Sequence, residues 1–119
     1  MNSKIDRARG ALVGLAVGDA VGTTNEFKVS GHFEPITDMV GGGPFKLKAG
    51  EWTDDTSMAL CLAESLILKQ GFDQQDVMQR WIDWSDNGKF SVKGYCFDIG
   101  TTTADSLHHF KMTGEIKKN

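Results

Sequence analysis

Four segments of the chain repeat apolar residues every three or four positions, which is the spacing of one face of an α-helix. They cover residues 4–21, 55–70 and 74–85, and a fourth begins within residues 101–103 and continues through residue 110. No segment alternates convincingly between apolar and polar residues with the period of two that a half-buried strand shows. The sequence therefore predicts an all-α, multi-helix fold.

The second and third segments carry the clearest boundary signals. Residues 58–68 are apolar on nearly every face, which is typical of a helix buried on all sides, and Gly71 is placed to end that helix. Asp73 is a good N-cap for the next segment, and Gly88 follows its last turn. We therefore expect the second helix to be the central one.

The first segment also carries glycine at every fourth position, in a stripe along one helix face: Gly10, Gly14, Gly18 and Gly22. A glycine inside a helix costs roughly 1 kcal/mol relative to alanine, so the stripe needs a physical reason. One explanation, which we favour, is close packing against another helix. The other is a ligand that lies against the end of the stripe, near Asp19 and Gly22.

The connections between helices are long. Residues 23–50 contain Pro35 and a run of three glycines before Pro44, and they predict an irregular loop. Residues 88–100 are irregular as well. Loops of this length in compact domains are usually functional or disordered, so residues at their ends are candidates for chemistry.

Residues 53–56, Thr-Asp-Asp-Thr, place two adjacent carboxylates at the start of the second helix. One aspartate as the cap and the other facing the helix dipole would each contribute roughly 0.5–1 kcal/mol. Adjacent carboxylates repel, however, and unpaired charge is costly at the start of a buried helix. A hard divalent cation such as Mg²⁺ or Mn²⁺, which takes oxygen ligands, would remove both objections. Glu26 is the candidate in the nearby loop for a further carboxylate.

Asp98 forms a second candidate site. It lies between Phe97 and Ile99 and is followed by a glycine and three threonines at residues 100–103. A carboxylate between apolar neighbours can be desolvated, which raises its pKa toward the range that general acid–base catalysis requires. The alternative is that Asp98 caps the fourth helix, and the local pattern favours that alternative.

Length and charge limit the class of protein. A chain of 119 residues is one domain or part of one. The net charge of −3 and the pI near 5.5 show no basic footprint for nucleic acid or an anionic membrane. No stretch approaches the roughly 20 apolar residues that span a bilayer. We therefore expect neither nucleic acid nor a membrane as a partner.

The N-terminus and the cysteines indicate the compartment. Basic residues precede a short apolar stretch at residues 11–17, but Asp6 and Asp19 interrupt the pattern of a secretion signal, which we do not expect. Cys61 and Cys96 lie far apart and form no C-x-x-C pair. This usage favours two reduced thiols in a cytoplasmic protein.

Three stretches carry a family resemblance when they are taken together. They are GALVGLAVGDAVGTTNEF at residues 10–27, GGGPFKLKAGEWTDDTSMALCLAESLI at residues 41–67, and GYCFDIGTTTADSL at residues 94–107. In this order they resemble the N-terminal part of the ADP-ribosylglycohydrolases, and most closely the bacterial dinitrogenase-reductase-activating type. The resemblance runs from about Arg9 to Gly114, and WTDDT with its glycine-rich approach is the most specific motif.

The resemblance implies an all-α fold that removes ADP-ribose from a modified side chain or a related acceptor with two Mg²⁺ or Mn²⁺ ions. It implies that Thr53, Asp54 and Asp55 are metal ligands. Glu26 matches the glutamate beside the metals, so it is expected both as a ligand and as a catalytic residue. These are the same residues that the acidic pattern by itself makes candidates for a cation site.

The resemblance also implies a catalytic role for Asp98. Asp98 would line the ADP-ribose pocket together with Gly100 and the hydroxyl groups of Thr101 and Thr102. The family often has asparagine at the position of Thr101, so one ribose or phosphate contact differs in this chain. The chemistry suits a carboxylate at this place, because cleavage of a bond to ribose passes through an oxocarbenium-like transition state.

Catalytic members of this family are much longer and bring a second metal-binding cluster from near the C-terminus, and no such motif follows Asp98 here. We interpret residues 1–119 as the N-terminal part of a single domain, holding half of a metal shell. The expected function is a truncated hydrolase of ADP-ribosylated acceptors. The alternatives are a chain that binds ADP-ribose without catalysis and a structural helical module. Expected partners are ADP-ribose or an ADP-ribosylated protein, another copy of the chain, and a complementary C-terminal fragment.

Overall fold

The computed structural model describes residues 3–118, and the regular structure in that range is helical. The helices are α1 (Lys4–Gly22), a short 3₁₀ helix (Thr23–Asn25), α2 (Asp54–Lys69), α3 (Gln74–Asn87) and α4 (Thr101–Thr113). One isolated antiparallel bridge joins Gly42 to Leu47, and no longer strand occurs among the described residues. The predicted all-α fold is confirmed, and each predicted helix begins within one residue of the observed start.

Local signals explain where the helices begin and end. The hydroxyl of Ser3 caps α1 by accepting from the backbone N–H of Asp6 at 3.1 Å. Asp73 caps α3 in the predicted way, because its carboxylate accepts from the Asp76 N–H at 3.0 Å. Gly88 ends α3 with a φ of 77°, a left-handed conformation that favours glycine.

The chain divides into two compact units, Met1–Thr56 and Ser57–Asn119, so that α2 begins in the first and continues in the second. The first unit contains α1, the 3₁₀ helix and the long loop. The second contains most of α2, together with α3 and α4. The prediction that residues 1–119 are part of a single domain stays a prediction.

The core of the second unit is built against a stripe of small residues on α2. Ser57, Cys61 and Ser65, four residues apart, are buried. The hydroxyl of Ser65 donates to the carboxylate of Asp76 at 2.6 Å, and the Cys61 thiol donates to the carbonyl of Arg80 at 3.5 Å. Two of these short side chains therefore hydrogen-bond directly to α3. The buried apolar cluster comprises Cys61, Met78, Ile82, Trp84, Leu107 and Phe110.

The remaining faces of α2 are only partly covered within residues 3–118, where residues 58–60 and 62–64 are half-buried. In the last turn, Leu66, Ile67 and Leu68 are 41%, 73% and 63% exposed. The expectation of a helix buried on all sides is therefore wrong for the described residues, which bury one stripe of α2 fully and leave its last turn exposed. These side chains form exposed apolar surface, and the expected association with another copy of the chain stays a prediction. Within the same range, no helix has both the length and the apolar character that a membrane crossing requires.

In the first unit, the glycine run of the long loop lies against the 3₁₀ helix. The hydroxyl of Thr24 donates to the carbonyl of Gly41 at 2.7 Å. Gly43 adopts a φ of 73°, and a side-chain carbon there would collide with the carbonyl oxygen of Thr23. The loop can approach this closely only because it carries glycine. The contact holds the backbone immediately before Glu26.

Substitution of Gly43 by alanine is therefore expected to destabilise the fold more than substitution of its neighbour Gly42. Both glycines have a left-handed φ, 73° and 80°, so alanine at either position costs about 1–2 kcal/mol. A methyl group at Gly42 meets no atom within 4 Å, whereas at Gly43 it meets the Thr23 backbone. We expect the collision to cost a further 1–3 kcal/mol, roughly, in urea denaturation. Equal losses for the two variants would mean that the loop does not contact the 3₁₀ helix.

Candidate functional site

A cleft of about 480 Å³ lies along α1 in the first unit. The residues that line it are Gly14, Leu15, Gly18, Asp19, Gly22, Thr23, Glu26, Thr53 and Asp55. A methyl group added at any glycine of the stripe would meet nothing within 4 Å. Within the described part of the chain, the stripe therefore packs against no other helix. The explanation that we favoured, close helix packing, does not hold for these residues. Three of its glycines instead form a wall of the cleft, where the ligand explanation stays a prediction.

Three of the predicted metal-binding residues lie on this cleft, although they come from distant parts of the sequence. Glu26 follows the 3₁₀ helix and is half-buried, and Thr53 is buried immediately before α2. Asp55, in the first turn of α2, is exposed. Asp54 is next to the cleft but does not line it, and its carboxylate accepts from the backbone N–H of Asp55 at 3.0 Å.

The carboxylates of this cluster repel one another. Partial burial and then the nearby charge of Asp54 raise the pKa of Glu26, and the charges of Asp19 and Asp55 add to the effect. A hydroxyl of Thr23, which donates to Glu26 at 3.4 Å, acts in the opposite direction. Although Asp55 is exposed, partial desolvation of its carboxylate, and then the charges of Asp54 and Asp19, also raise its pKa.

The donor set fits a hard divalent cation in chemical type. Its atoms are carboxylate and hydroxyl oxygens, which Mg²⁺ and Mn²⁺ prefer. No ion pair among the described residues involves Glu26, Asp54 or Asp55, so lysine and arginine do not neutralise the cluster there. Across residues 3–118, however, no three His, Cys, Asp or Glu side chains converge in a geometry that would hold a metal ion. The cluster is therefore a partial ligand set.

The structure adds one residue to this site whose role the sequence did not reveal. The carboxylate of Asp19, near the end of α1, accepts from the backbone N–H of Thr53 at 3.0 Å and of Thr56 at 3.2 Å. Asp19 thereby takes the place of a cap at the start of α2, a role that one of the two interpretations gave to Asp54 or Asp55. The available signal was a charged residue within residues 10–22, the otherwise uncharged part of α1.

The predicted ADP-ribose loop lies in the second unit. Its anchors are Cys96 and Ile99, which pack against the buried cluster on either side of the half-buried Asp98. Helix α4 begins at Thr101 and its N-cap is Gly100, so the interpretation of Asp98 as the cap residue is wrong. Gly100, Thr101 and Thr102 are exposed. The catalytic role of Asp98 and the pocket role of its neighbours stay predictions.

Substitution of Glu26 by glutamine is expected to stabilise the metal-free chain at neutral pH. Because the pKa of Glu26 is raised above its ordinary 4.5, the folded state binds the proton more tightly than the unfolded state. The free energy of unfolding therefore falls as the pH rises from 4.5 through the raised pKa. Glutamine removes this penalty, so Tm in EDTA should increase and should depend less on pH above pH 4.5.

The matched control is Glu34→Gln, because Glu34 is an exposed glutamate of the same unit that lies outside the cleft. We expect its Tm to follow that of the parent chain over the whole pH range. A lower Tm for Glu26→Gln in EDTA would contradict the conclusion that the ionised carboxylate of Glu26 destabilises the metal-free fold.

Comparisons with known proteins show which family this chain resembles. The ADP-ribosylglycohydrolase family model matches residues 1–118. An ADP-ribosylarginine hydrolase, Tri1 of Pseudomonas putida (strain GB-1), is 53% identical over 110 residues, which are 92% of this chain and 29% of that protein. The ADP-ribosyl-[dinitrogen reductase] glycohydrolase of Rhodospirillum rubrum is 40% identical over 113 residues, covering 92% of this chain and 36% of the relative.

A solved structure shows the same fold. An ADP-ribosylglycohydrolase-related protein complex superposes with a TM-score of 0.74 at 44% identity, over 92% of this chain and 34% of that chain. The chain thus spans about a third of the length of the curated relatives that it matches. Together with the family model, these similarities identify the chain as a member of the ADP-ribosylglycohydrolase family.

Proposed function

We propose that this chain supplies the N-terminal part of a hydrolase that removes ADP-ribose from an ADP-ribosylated acceptor at a Mg²⁺ or Mn²⁺ site. Thr53, Asp54, Asp55 and Glu26 would hold the metal. The supporting observation is the gathering of acidic side chains at one cleft, where burial and mutual repulsion raise the pKa of Glu26 and Asp55. A fold keeps such a costly arrangement when a cation neutralises it.

The described residues provide only some of the ligands that a Mg²⁺ or Mn²⁺ ion needs. Mg²⁺ is commonly bound by one or two carboxylates, with water completing its octahedral shell. The described residues can therefore provide one side of the shell. We place the other protein ligands in the part of the family's fold that this chain does not span.

The proposed reaction breaks the glycosidic bond between the ribose and its acceptor, and positive charge develops on the ribose ring in the transition state. When bound, divalent cations would supply charge that holds the ribose hydroxyls and polarises water. Glu26, which lines the same cleft, is proposed to accept a proton from that water. Asp98, anchored by Cys96 and Ile99, is proposed to stabilise the cationic ribose or to move a proton.

The acceptor that we propose is an arginine side chain. The Pseudomonas putida relative, which is 53% identical, is an ADP-ribosylarginine hydrolase. Its name supports a bond from ribose to a guanidinium nitrogen, an N-glycosidic bond, as the one that is cleaved. A protein that carries ADP-ribosylarginine would then be the partner.

Calorimetric titration of ADP-ribose into the purified chain would test binding, first with Mn²⁺ and then with excess EDTA. Hydrolysis would be tested with an ADP-ribosylarginine peptide. The chain would be assayed alone and mixed with the separately expressed part of the Pseudomonas putida relative that follows the matched region. We expect Mn²⁺-dependent binding, and turnover in the mixture that exceeds the sum of the two separate parts.

Two results would contradict the proposal. An affinity for ADP-ribose that is the same in Mn²⁺ and in EDTA would exclude a role of the metal in binding. A folded chain that neither binds ADP-ribose nor complements the relative's C-terminal part would show that its family membership carries no retained activity.

A further inference from the structure

The hydroxyl groups of two threonines at the start of α2 both donate to one carboxylate. Thr53 Oγ1 lies 2.5 Å from Asp19 Oδ1, and Thr56 Oγ1 lies 2.7 Å from Asp19 Oδ2. These bonds add to the two that Asp19 accepts from the backbone of the same threonines. Both threonines are buried, at 3% and 2% exposure, so water does not compete freely for their hydroxyl groups.

This direction of donation has a consequence for Thr53. A hydroxyl has one proton and two lone pairs, and the proton can be donated to one acceptor at full strength. At many helix starts, the side-chain oxygen of the N-cap residue accepts a hydrogen bond from a backbone N–H in the first turn. Here Asp19 accepts those N–H groups, and the Thr53 hydroxyl donates to Asp19 as well. Its lone pairs are therefore left for another partner.

Thr53 lines the cleft beside Glu26 and Asp55, while Thr56 does not. A cation in that cleft needs the hydroxyl as an electron-pair donor, and a proton that pointed toward the cation would repel it. The charge of Asp19 makes that wrong orientation unfavourable before a cation arrives. Binding then requires no rotation of the hydroxyl group.

We propose that Asp19 is a positioning residue of the metal site, which orients the Thr53 hydroxyl so that its lone pairs face the cation. This inference rests on the proposed function, because it takes Thr53 as a metal ligand. In this role Asp19, which also lines the cleft, acts on the cation through Thr53. Its role therefore differs from a purely structural role as the cap of α2.

Asp19→Asn separates the two roles. The amide oxygen of asparagine can still accept from a backbone N–H, but its NH₂ group donates and so forces a facing hydroxyl to accept. We expect Asp19→Asn to weaken Mn²⁺ binding by about 10-fold, the lower end of the 10–100-fold range for a residue that supports a metal ligand. Binding is measured by electron paramagnetic resonance of free Mn²⁺, and folding by far-ultraviolet circular dichroism.

The decisive comparison uses Asp19→Asn in two further backgrounds. In Thr53→Val the hydroxyl is already absent, so Asp19→Asn should have no additional effect on Mn²⁺ affinity. In Thr56→Val the about 10-fold loss should persist, because Thr56 has the same bonds to Asp19 without facing the cleft. A purely structural cap predicts the same loss in both backgrounds, and that result would overturn the inference.

A measurement on the unsubstituted chain covers the case in which Asp19→Asn does not fold. Proton NMR should show the Thr53 hydroxyl proton in slow exchange with water, both before and after Mg²⁺ is added. Loss of that signal on Mg²⁺ addition would overturn the inference, since the proton would no longer be held by Asp19.

The failure of the inference is distinguishable from that of the proposed function. If the parent chain binds Mn²⁺ and Asp55→Ala does not, but Asp19→Asn binds as the parent does, the inference alone is overturned. If the folded parent chain binds no Mn²⁺, the metal site and the role of Asp19 are overturned together.

Discussion

Substitution of Asp55 by alanine is expected to weaken Mn²⁺ binding by about 100-fold or more, while the helix content of the chain stays unchanged. Loss of a group that merely supports a metal ligand costs about 10–100-fold, and Asp55 is proposed as a ligand itself. Asp55 is exposed on the cleft in the first turn of α2. Its removal also relieves repulsion from Asp54 and Asp19, which offsets the lost interaction with the helix dipole.

The matched control is Asp105→Ala, because Asp105 is an exposed aspartate on α4, in the second unit. We expect this variant to bind Mn²⁺ as tightly as the parent chain. Calorimetry with Mn²⁺ and circular dichroism would be applied to both variants. Parental affinity in Asp55→Ala would exclude Asp55 from the ligand set, and Asp54 and Thr53 would then have to be tested in the same way.

The second large effect concerns stability. Substitution of Phe110 by alanine is expected to lower the free energy of unfolding by about 3–5 kcal/mol, which is a large part of the 5–15 kcal/mol, roughly, that holds a domain together. Phe110 is 8% exposed and packs in the cluster that also contains Trp84 and Leu107. Two terms contribute to this loss. One is the favourable free energy of burying the benzyl group, and the other is the cost of the cavity that remains because the neighbours relax only partly.

Phe72→Ala is the control, since it makes the same chemical change at a side chain that is 70% exposed. We expect a change within about 0.5 kcal/mol in urea denaturation, followed by tryptophan fluorescence at low protein concentration. Comparable losses for the two variants would mean that Phe72 is covered in solution. Self-association of the chain would then account for the difference from the structure.

Helix positions could be predicted from the sequence because their signals are local. The N-cap at Asp73 and the left-handed Gly88 at the end of α3 depend on hydrogen bonds within four residues. The acidic motif at residues 53–56 was visible for the same reason, because its residues are contiguous. Glu26 was a candidate partner from its place in the nearby loop, and the family resemblance implied the same residue. The structure places Glu26 on the same cleft as Thr53 and Asp55.

The errors share a different origin. Helix α2 has apolar residues on nearly every face, but burial depends on which neighbours are present, and residues 3–118 bury only one stripe of it fully. The glycine stripe of α1 predicted a packed helix for the same reason, and its glycines border an open cleft instead. Composition shows what a surface could pack against, and it does not show whether a partner lies there.

The sequence by itself determined the helical class, the starts of the helices, the family and the acidic motif, because periodicity, caps and contiguous motifs act over a few residues. Only the tertiary structure decided how that motif is held. Asp19 lies 34 residues before Thr53, and the path of the intervening loop brings its carboxylate to the threonine hydroxyl. Such a bond depends on where the loop returns the chain, and no local pattern of residues encodes that distance.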